Sequence, residues 1–198
     1  MKKSGHLLVT MSVANSMNLK YKSWLLLGSI LPDILVHTYL MGHTWDKAYK
    51  RVTKSIQSLE KHGRMNRLSC LKLGYILHYV EDFFTYPHNS IFEGDILEHC
   101  RYENRLDNYM KTVKGLHITD TEEKIGGVFG SIKYQIEKKH QSYIEGSHSI
   151  ENDTKFIFSM TYSVIKYFAL KFTENQIIAR GEKLKLNEKY LAQGLFNK

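Results

Sequence analysis

The sequence predicts an all-α fold, a single multi-helix bundle spanning residues 1–198, on three observations. Only two prolines, Pro32 and Pro87, interrupt 198 residues, which leaves room for long helices because proline is the residue a helix interior tolerates least. Apolar residues recur at intervals of three and four along most of the chain, the spacing of one face of a helix. No segment sustains the alternation of period two that a half-buried strand requires. A hydrophobic content of 42% with thirteen glycines also excludes collagen-like, low-complexity and disordered classes.

The elements follow in order. Residues 6–17 and 22–31 read as two short helices, the second apolar along one side and ended by Pro32. Residues 45–61 carry Ala48, Val52, Ile56 and Leu59 on one face, and Gly63 stands where a C-terminal cap belongs. Residues 68–85 form the most hydrophobic long segment, expected as a central helix that stops before Pro87. A helix is expected over 95–110. Thr119 and Glu122 have the spacing of a capping box that opens another helix, running to about His140. Residues 153–172 repeat Phe156, Ile157, Met160, Val164, Ile165, Phe168 and Ala169 at helical intervals. A weaker helix over 177–195 alternates lysine with leucine.

Charge and targeting bound the function. Twenty-eight basic residues against twenty acidic ones give a net charge of +8, which favours anionic partners such as phosphate esters, nucleic acid or an acidic membrane surface, or else is a solvated lysine coat. Cys70 and Cys100 cannot make a disulfide framework and are expected as buried thiols in a reducing compartment. The first residues lack a small-residue cleavage site after a short apolar stretch, and the most apolar window, 24–36, is broken by Pro32 and Asp33. No transmembrane helix is expected, and the chain reads as cytoplasmic.

The chemistry lies in histidines and carboxylates. His78 and Asp82, in LHYVEDFFTYPHN, are four apart on the central helix and so share a face, with Cβ atoms ~5–6 Å apart. That is within reach of one metal ion. His88 follows six residues later, just past Pro87, where it can bend back over the helix end. His99 and Glu103, in EHCRYEN, repeat the spacing of four. Cys100, next to His99, is expected to face elsewhere. Asp33 follows Pro32 at the end of an apolar segment, His43 opens the next helix within GHTWD, and His6 lies near the amino terminus. Each histidine alone reads as an ordinary core or surface residue, and each i,i+4 pair as a helix-stabilising contact. Two pairs and a third histidine between positions 78 and 103 are harder to explain that way. Asp82, among Val80, Phe83 and Phe84, would be costly without a cation. Imidazole and carboxylate without thiolate suit zinc or a similar divalent ion in a hydrolytic role. Several such ligands hold two or three ions, with Asp82 the simplest bridge, so a metal cluster is expected at the ends of the central helices.

At these residues the chain resembles the bacterial zinc-dependent phospholipase C family, part of a superfamily that also contains zinc-dependent single-strand nucleases. His78, Asp82 and His88 reproduce the family's histidine, aspartate four later and histidine six after that, while His99, Glu103 and Asn104 reproduce its second element. The proline is shifted by one position, and Glu81 replaces a customary glycine or threonine. The resemblance covers roughly residues 5–105. It implies that Asp33 and His43 complete one zinc site with His78 and Asp82, with His37 a nearby competitor for His43. It implies a second site from His88, His99 and Glu103, and a third that includes His6 and Asp82. Family members also hold the third ion through the amino group and carbonyl of an N-terminal tryptophan, where this sequence has Met1.

The mechanism the resemblance implies is attack of a zinc-activated water on a phosphodiester, with Asp33 orienting or deprotonating that water and diacylglycerol and a phosphorylated head group as products. Family members that prefer choline lipids use a glutamate and aromatics near the entrance. No acidic residue precedes Asp33 here, and Ile34 follows it. Tyr39, Trp45, Phe84 and Tyr86 read either as pocket lining or as core. The expected substrate is a phospholipid or another phosphodiester, met through a peripheral membrane contact, with no specific nucleic-acid partner. No room is expected for a separate membrane-docking domain. Two alternatives stand beside this reading. One is a single-strand nuclease or nucleotide phosphodiesterase, favoured by the basic charge, although Glu103 and the short interval from His88 to His99 look more like the lipase branch. The other is a non-catalytic metal-binding helical protein, although structural zinc sites tend to be closed by four protein ligands and the second cluster offers three.

Overall fold

The computed structural model describes residues 1–35, 42–113 and 131–192, with side chains up to residue 181. Among these residues seven α-helices and one 3₁₀ turn form, with no strand. They are α1 (Lys3–Ser16), α2 (Lys22–Ile34), α3 (Trp45–His62), α4 (Arg67–Phe83), the 3₁₀ turn Tyr86–His88, α5 (Ile96–Thr112), α6 (Ile132–Glu145) and α7 (Ile150–Ala192). The all-α expectation is met.

α4 is the axis of the bundle. Every residue from Ile76 to Phe83 is buried, so α4 shows almost no polar face and must be wrapped on all sides; α1, α2, α3 and α7 do this. Its start is fixed by Asn66, whose side chain accepts the Ser69 N–H at 2.9 Å. α2 lies closest, because glycine faces glycine where the two helices cross. A Cβ added at Gly74 would sit 2.8 Å from Gly28 Cα and nearer still to the Leu25 carbonyl oxygen. Only residues without side chains permit that approach.

Three elements differ from the sequence expectation. Pro32 does not end α2, which continues to Ile34. A proline mid-helix removes one hydrogen bond, here the one its own N–H would have given to the Gly28 carbonyl, but does not forbid continuation; one residue on, the Ser29 carbonyl accepts from His78 Nδ1 at 2.8 Å. As far as the described residues reach, the helices expected over 153–172 and 177–195 are one helix, α7, 43 residues long. Thr173, Glu174, Asn175 and Gln176 contain no proline or glycine to stop it, and Asn175 donates to the Glu60 and Gly63 carbonyls at 3.0 and 2.8 Å, capping the end of α3. The proposed capping box of Thr119 and Glu122 lies outside the described residues, as do His37 and Tyr39; the helix expected up to His140 is seen from Ile132 and runs on to Glu145.

The other elements fall where the pattern places them. α3 buries Ala48, Val52, Ile56 and Leu59. α5 begins with a complete capping box, Asp95 accepting from the Glu98 N–H at 2.8 Å and Glu98 accepting from the Asp95 N–H. Cys70 is buried, as expected, but Cys100 is exposed. Of the described residues, no helix is long and apolar enough to cross a membrane.

The turn after α4 is built by a buried carboxylate. Asp153 of α7 accepts the Tyr86 N–H at 2.9 Å, the Tyr102 hydroxyl at 2.8 Å and the Tyr143 hydroxyl at 2.7 Å. Asn89 then donates to the Phe83 and Thr85 carbonyls and accepts from His140 Nε2 at 2.8 Å. His140 lies flat on the Trp45 ring, centroids 3.5 Å apart. His88 is therefore held at the C-terminal end of α4 by fixed neighbours.

Candidate metal centre

The eight residues singled out above come from six places in the chain, and the fold brings them to one end of the bundle. α1 supplies His6 near its start and α2 supplies Asp33 near its end. His43 precedes α3, His78 and Asp82 occupy the last turns of α4, and His88 closes the 3₁₀ turn. α5 adds His99 and Glu103. The donor atoms form three groups, each within 4.8 Å: His6, His78 and Asp82; Asp33, His43 and His78; His88, His99 and Glu103.

Asp82 lies between the groups. Its side chain is 1% exposed, with Oδ2 at 3.4 Å from His78 Nε2, 3.3 Å from His43 Nδ1 and 3.4 Å from His88 Nδ1. Oδ1 faces His6 Nε2 at 3.4 Å and the Met1 amino group at 2.7 Å. The same amino group reaches Glu103 Oε1 at 2.9 Å. Glu103 Oε1 is also 3.1 Å from His88 Nε2 and 3.0 Å from His99 Nε2. Asp33 Oδ1 stands 3.7 Å from His78 Nε2 and 3.9 Å from His43 Nδ1. The spacing of four thus does what helical geometry promised for both pairs.

The electrostatics are set by burial and by the close charges of the cluster's own groups. Burial would raise the Asp82 carboxyl, but His88, the Met1 amino group, His78 and His6 hold it well below the usual carboxylate range. Burial and the neighbouring His6 charge push His78 well below its ordinary value. Burial likewise lowers His88. His6 goes the other way: burial opposes its charge, yet Asp82 and Glu81 raise it to about 9. Despite burial, the Met1 amino group is raised to about 11, chiefly by Asp82 and Glu103. Burial raises Asp33.

The donor set fits zinc. Five imidazoles and three carboxylates supply nitrogen and oxygen ligands of the hard-to-borderline kind zinc accepts. Two buried ring nitrogens, His6 Nε2 and His88 Nδ1, make no hydrogen bond, and both point at Asp82. Buried polar atoms are nearly always satisfied, so orphaned imidazole nitrogens converging on a buried carboxylate are what a ligand set looks like.

A cavity of about 630 Å³ opens onto the cluster, walled by Asp33, His43, His88, His99 and Glu103. Lys2 and Lys3 stand at its edge. Cys100 also lines it, contrary to the expectation that it would face elsewhere. The first turns of α5 present Ile96, His99, Cys100 and Glu103 to the opening, a face wide enough to include two consecutive residues. Of the aromatics considered as lining, Trp45 packs on His140 and Tyr49, Phe84 is fully buried, and Tyr86 borders a separate cavity with Phe92 and Tyr102.

Two contributors escaped the sequence reading. Ser29 fixes the His78 ring through its backbone carbonyl, and no local signal marks such an acceptor. Glu81 accepts from His6 Nδ1 at 2.6 Å; its signal was present, a second acid beside Asp82 inside an apolar run.

A family model described as zinc dependent phospholipase C matches residues 5–150, a span that contains all eight residues. No curated protein and no solved structure matches the chain.

Proposed function

Because the chain belongs to the zinc-dependent phospholipase C family, we propose that it hydrolyses phosphodiesters, cleaving phospholipid to diacylglycerol and a phosphorylated head group. The observation that carries this reading is the convergence of three donor groups on Asp82 beneath a cavity open to solvent.

Two or three zinc ions are held in this reading. His43, His78, Asp33 and Asp82 take one, His88, His99 and Glu103 a second, and His6 with Asp82 a third. Zinc supplies Lewis-acid chemistry: it makes water acidic enough to attack at neutral pH and offsets the charge that builds on the phosphoryl oxygens. The protein does the rest. Asp33, partly exposed on the cavity wall, orients the attacking water and accepts its proton. The water oxygen bonds to phosphorus, the bond from phosphorus to the glycerol oxygen breaks, and that oxygen takes a proton. Lys2 and Lys3 draw the anionic phosphate to the opening. Ile96, on the cavity wall and 75% exposed, with its neighbour Leu97 and with Ile34 next to Asp33, 55% and 51% exposed, offers apolar surface for peripheral contact with a lipid surface.

The net charge of +8 favours a second reading, hydrolysis of single-stranded nucleic acid or nucleotides. One experiment separates them. The purified chain is assayed on short-chain lecithin micelles, a chromogenic phosphodiester and single-stranded DNA, before and after chelation and zinc replacement. Turnover of the first two, abolished by chelator and restored by zinc, is expected. Turnover of DNA alone overturns the lipid reading in favour of the nuclease.

A further inference from the structure

Glu81 is fully buried and belongs to none of the three donor groups. It precedes Asp82 on α4 and points about a quarter-turn away from it, into the junction of α1, α4 and α7. There it accepts from His6 Nδ1 at 2.6 Å, from the Thr10 hydroxyl at 3.1 Å and from the Thr161 hydroxyl at 3.1 Å. Three donors on two neighbouring helices fix the carboxylate in place. A buried carboxylate is expensive unless it is hydrogen-bonded and paired, and His6 is its one ion-pair partner among the described residues.

What Glu81 holds is one end of an imidazole whose other end faces the cluster. With Nδ1 on Glu81, His6 Nε2 lies 3.4 Å from Asp82 Oδ1 and makes no hydrogen bond. The His78 ring stacks on the His6 ring with centroids 4.0 Å apart, so the plane of the ring is fixed as well as its direction. A histidine ligand needs its second nitrogen held in this way, because that bond chooses both the tautomer and the orientation of the ring.

We propose that Glu81 is the positioning residue of the His6 site: it takes the Nδ1 hydrogen so that the Nε2 lone pair is presented to a metal ion shared with Asp82. This rests on the reading of the cluster as a zinc centre but concerns binding alone, and it does not depend on which substrate is cleaved. The competing account makes Glu81 a strut whose pairing with His6 stabilises the bundle and nothing more.

The experiment measures zinc and not turnover. The unsubstituted chain, Glu81→Gln and Glu81→Ala are titrated with zinc against a competing chelator, each also in a His6→Ala background. In Glu81→Ala, one ion is expected to bind 10–100-fold more weakly, the usual effect of removing such a partner, while the others are unchanged. Glu81→Gln, which keeps an acceptor oxygen, recovers part of the loss. In the His6→Ala background neither substitution changes zinc binding further. A strut would instead lower the melting temperature and leave all zinc affinities alone, and that result overturns the proposal. Should Glu81→Ala fail to fold, long-range ¹H–¹⁵N spectra of the unsubstituted chain decide. A zinc-bound Nε2 with hydrogen on Nδ1 supports the proposal, and any other state of His6 at saturating zinc overturns it. Absence of zinc from the unsubstituted chain would sink the metal centre itself, a failure distinct from a full zinc complement in Glu81→Ala.

Discussion

Replacing Gly74 with alanine sets two physical effects against each other. Within a helix this change ordinarily stabilises by ~1 kcal/mol, because glycine is the poorer helix former. At the crossing of α2 and α4 the new methyl group would meet Gly28 Cα at 2.8 Å and the Leu25 carbonyl oxygen even closer. Both obstacles are backbone, so relief requires the helices to part. Overpacking of a core costs ~1–3 kcal/mol, and a contact with no side chain to yield belongs at the upper end. The net expectation is a loss of about 2 kcal/mol, which for a chain of this size lowers the melting temperature by roughly 4–8 °C. Parting the helices also moves Ser29 and Asp33 away from His78, opening contacts of 2.8 and 3.7 Å. Zinc at Asp33, His43 and His78 should then bind about 10-fold or more weakly. The group on α5 and the 3₁₀ turn should be unaffected. Calorimetry of the metal-free chain, followed by zinc titration, reads both. A melting temperature that rises as helix propensity alone dictates, or equal weakening of every zinc, would refute the reasoning.

Four further outcomes are expected. Asp82→Asn should abolish zinc binding at the groups it joins while the helical circular dichroism persists; complete unfolding would mark the metal as a structural requirement. Metal binding at His6 must displace a proton at neutral pH, since its neighbours raise His6 to about 9. Calorimetric heats at pH 7.5 should therefore vary with the ionisation enthalpy of the buffer, and a binding heat independent of buffer would contradict this. In the metal-free chain the same shift has a definite sign. His6, raised from 6.5, and the Met1 amino group, raised from 8.0 to about 11, contribute stability that is complete below their unfolded values and lost as pH climbs through 9 and then 11. A melting temperature that rises over that interval would refute it. Asp153→Ala leaves a buried N–H and two tyrosine hydroxyls without their acceptor. A loss of about 3 kcal/mol or more is expected from the melting curve, together with weaker zinc at His88.

The sequence made the two i,i+4 pairs legible because their spacing is a property of one helix, and the helix was written in its apolar residues. It located His88 too, because a proline five residues after Asp82 marks where the chain must turn. The reach of α2 past Pro32 was hidden, since a proline costs a helix one hydrogen bond without fixing where the helix stops. The unity of α7 was hidden for a related reason. Thr173 to Gln176 looks like a polar interruption until Asn175 is seen capping α3. Cys100 was misplaced by treating neighbours on a helix as opposed, when the opening of the cavity spans both. Glu81 was visible as an acid in an apolar run, but only the packing of α1 and α7 shows what it serves.

The stack of Trp45 on His140 gives the protein an optical reporter. The sequence has two tryptophans, Trp24 and Trp45; Trp24 is 38% exposed, and Trp45 lies nearly parallel to the imidazole at 3.5 Å. A protonated imidazole in that position accepts an electron from the excited indole and quenches it. Burial lowers His140 to about 4, so near neutrality an uncharged imidazole and an emitting Trp45 are expected. Because His140 also holds Asn89, beside His88, the emission of Trp45 is expected to follow the seating of α6 against the turn that carries His88, with no label added to the chain.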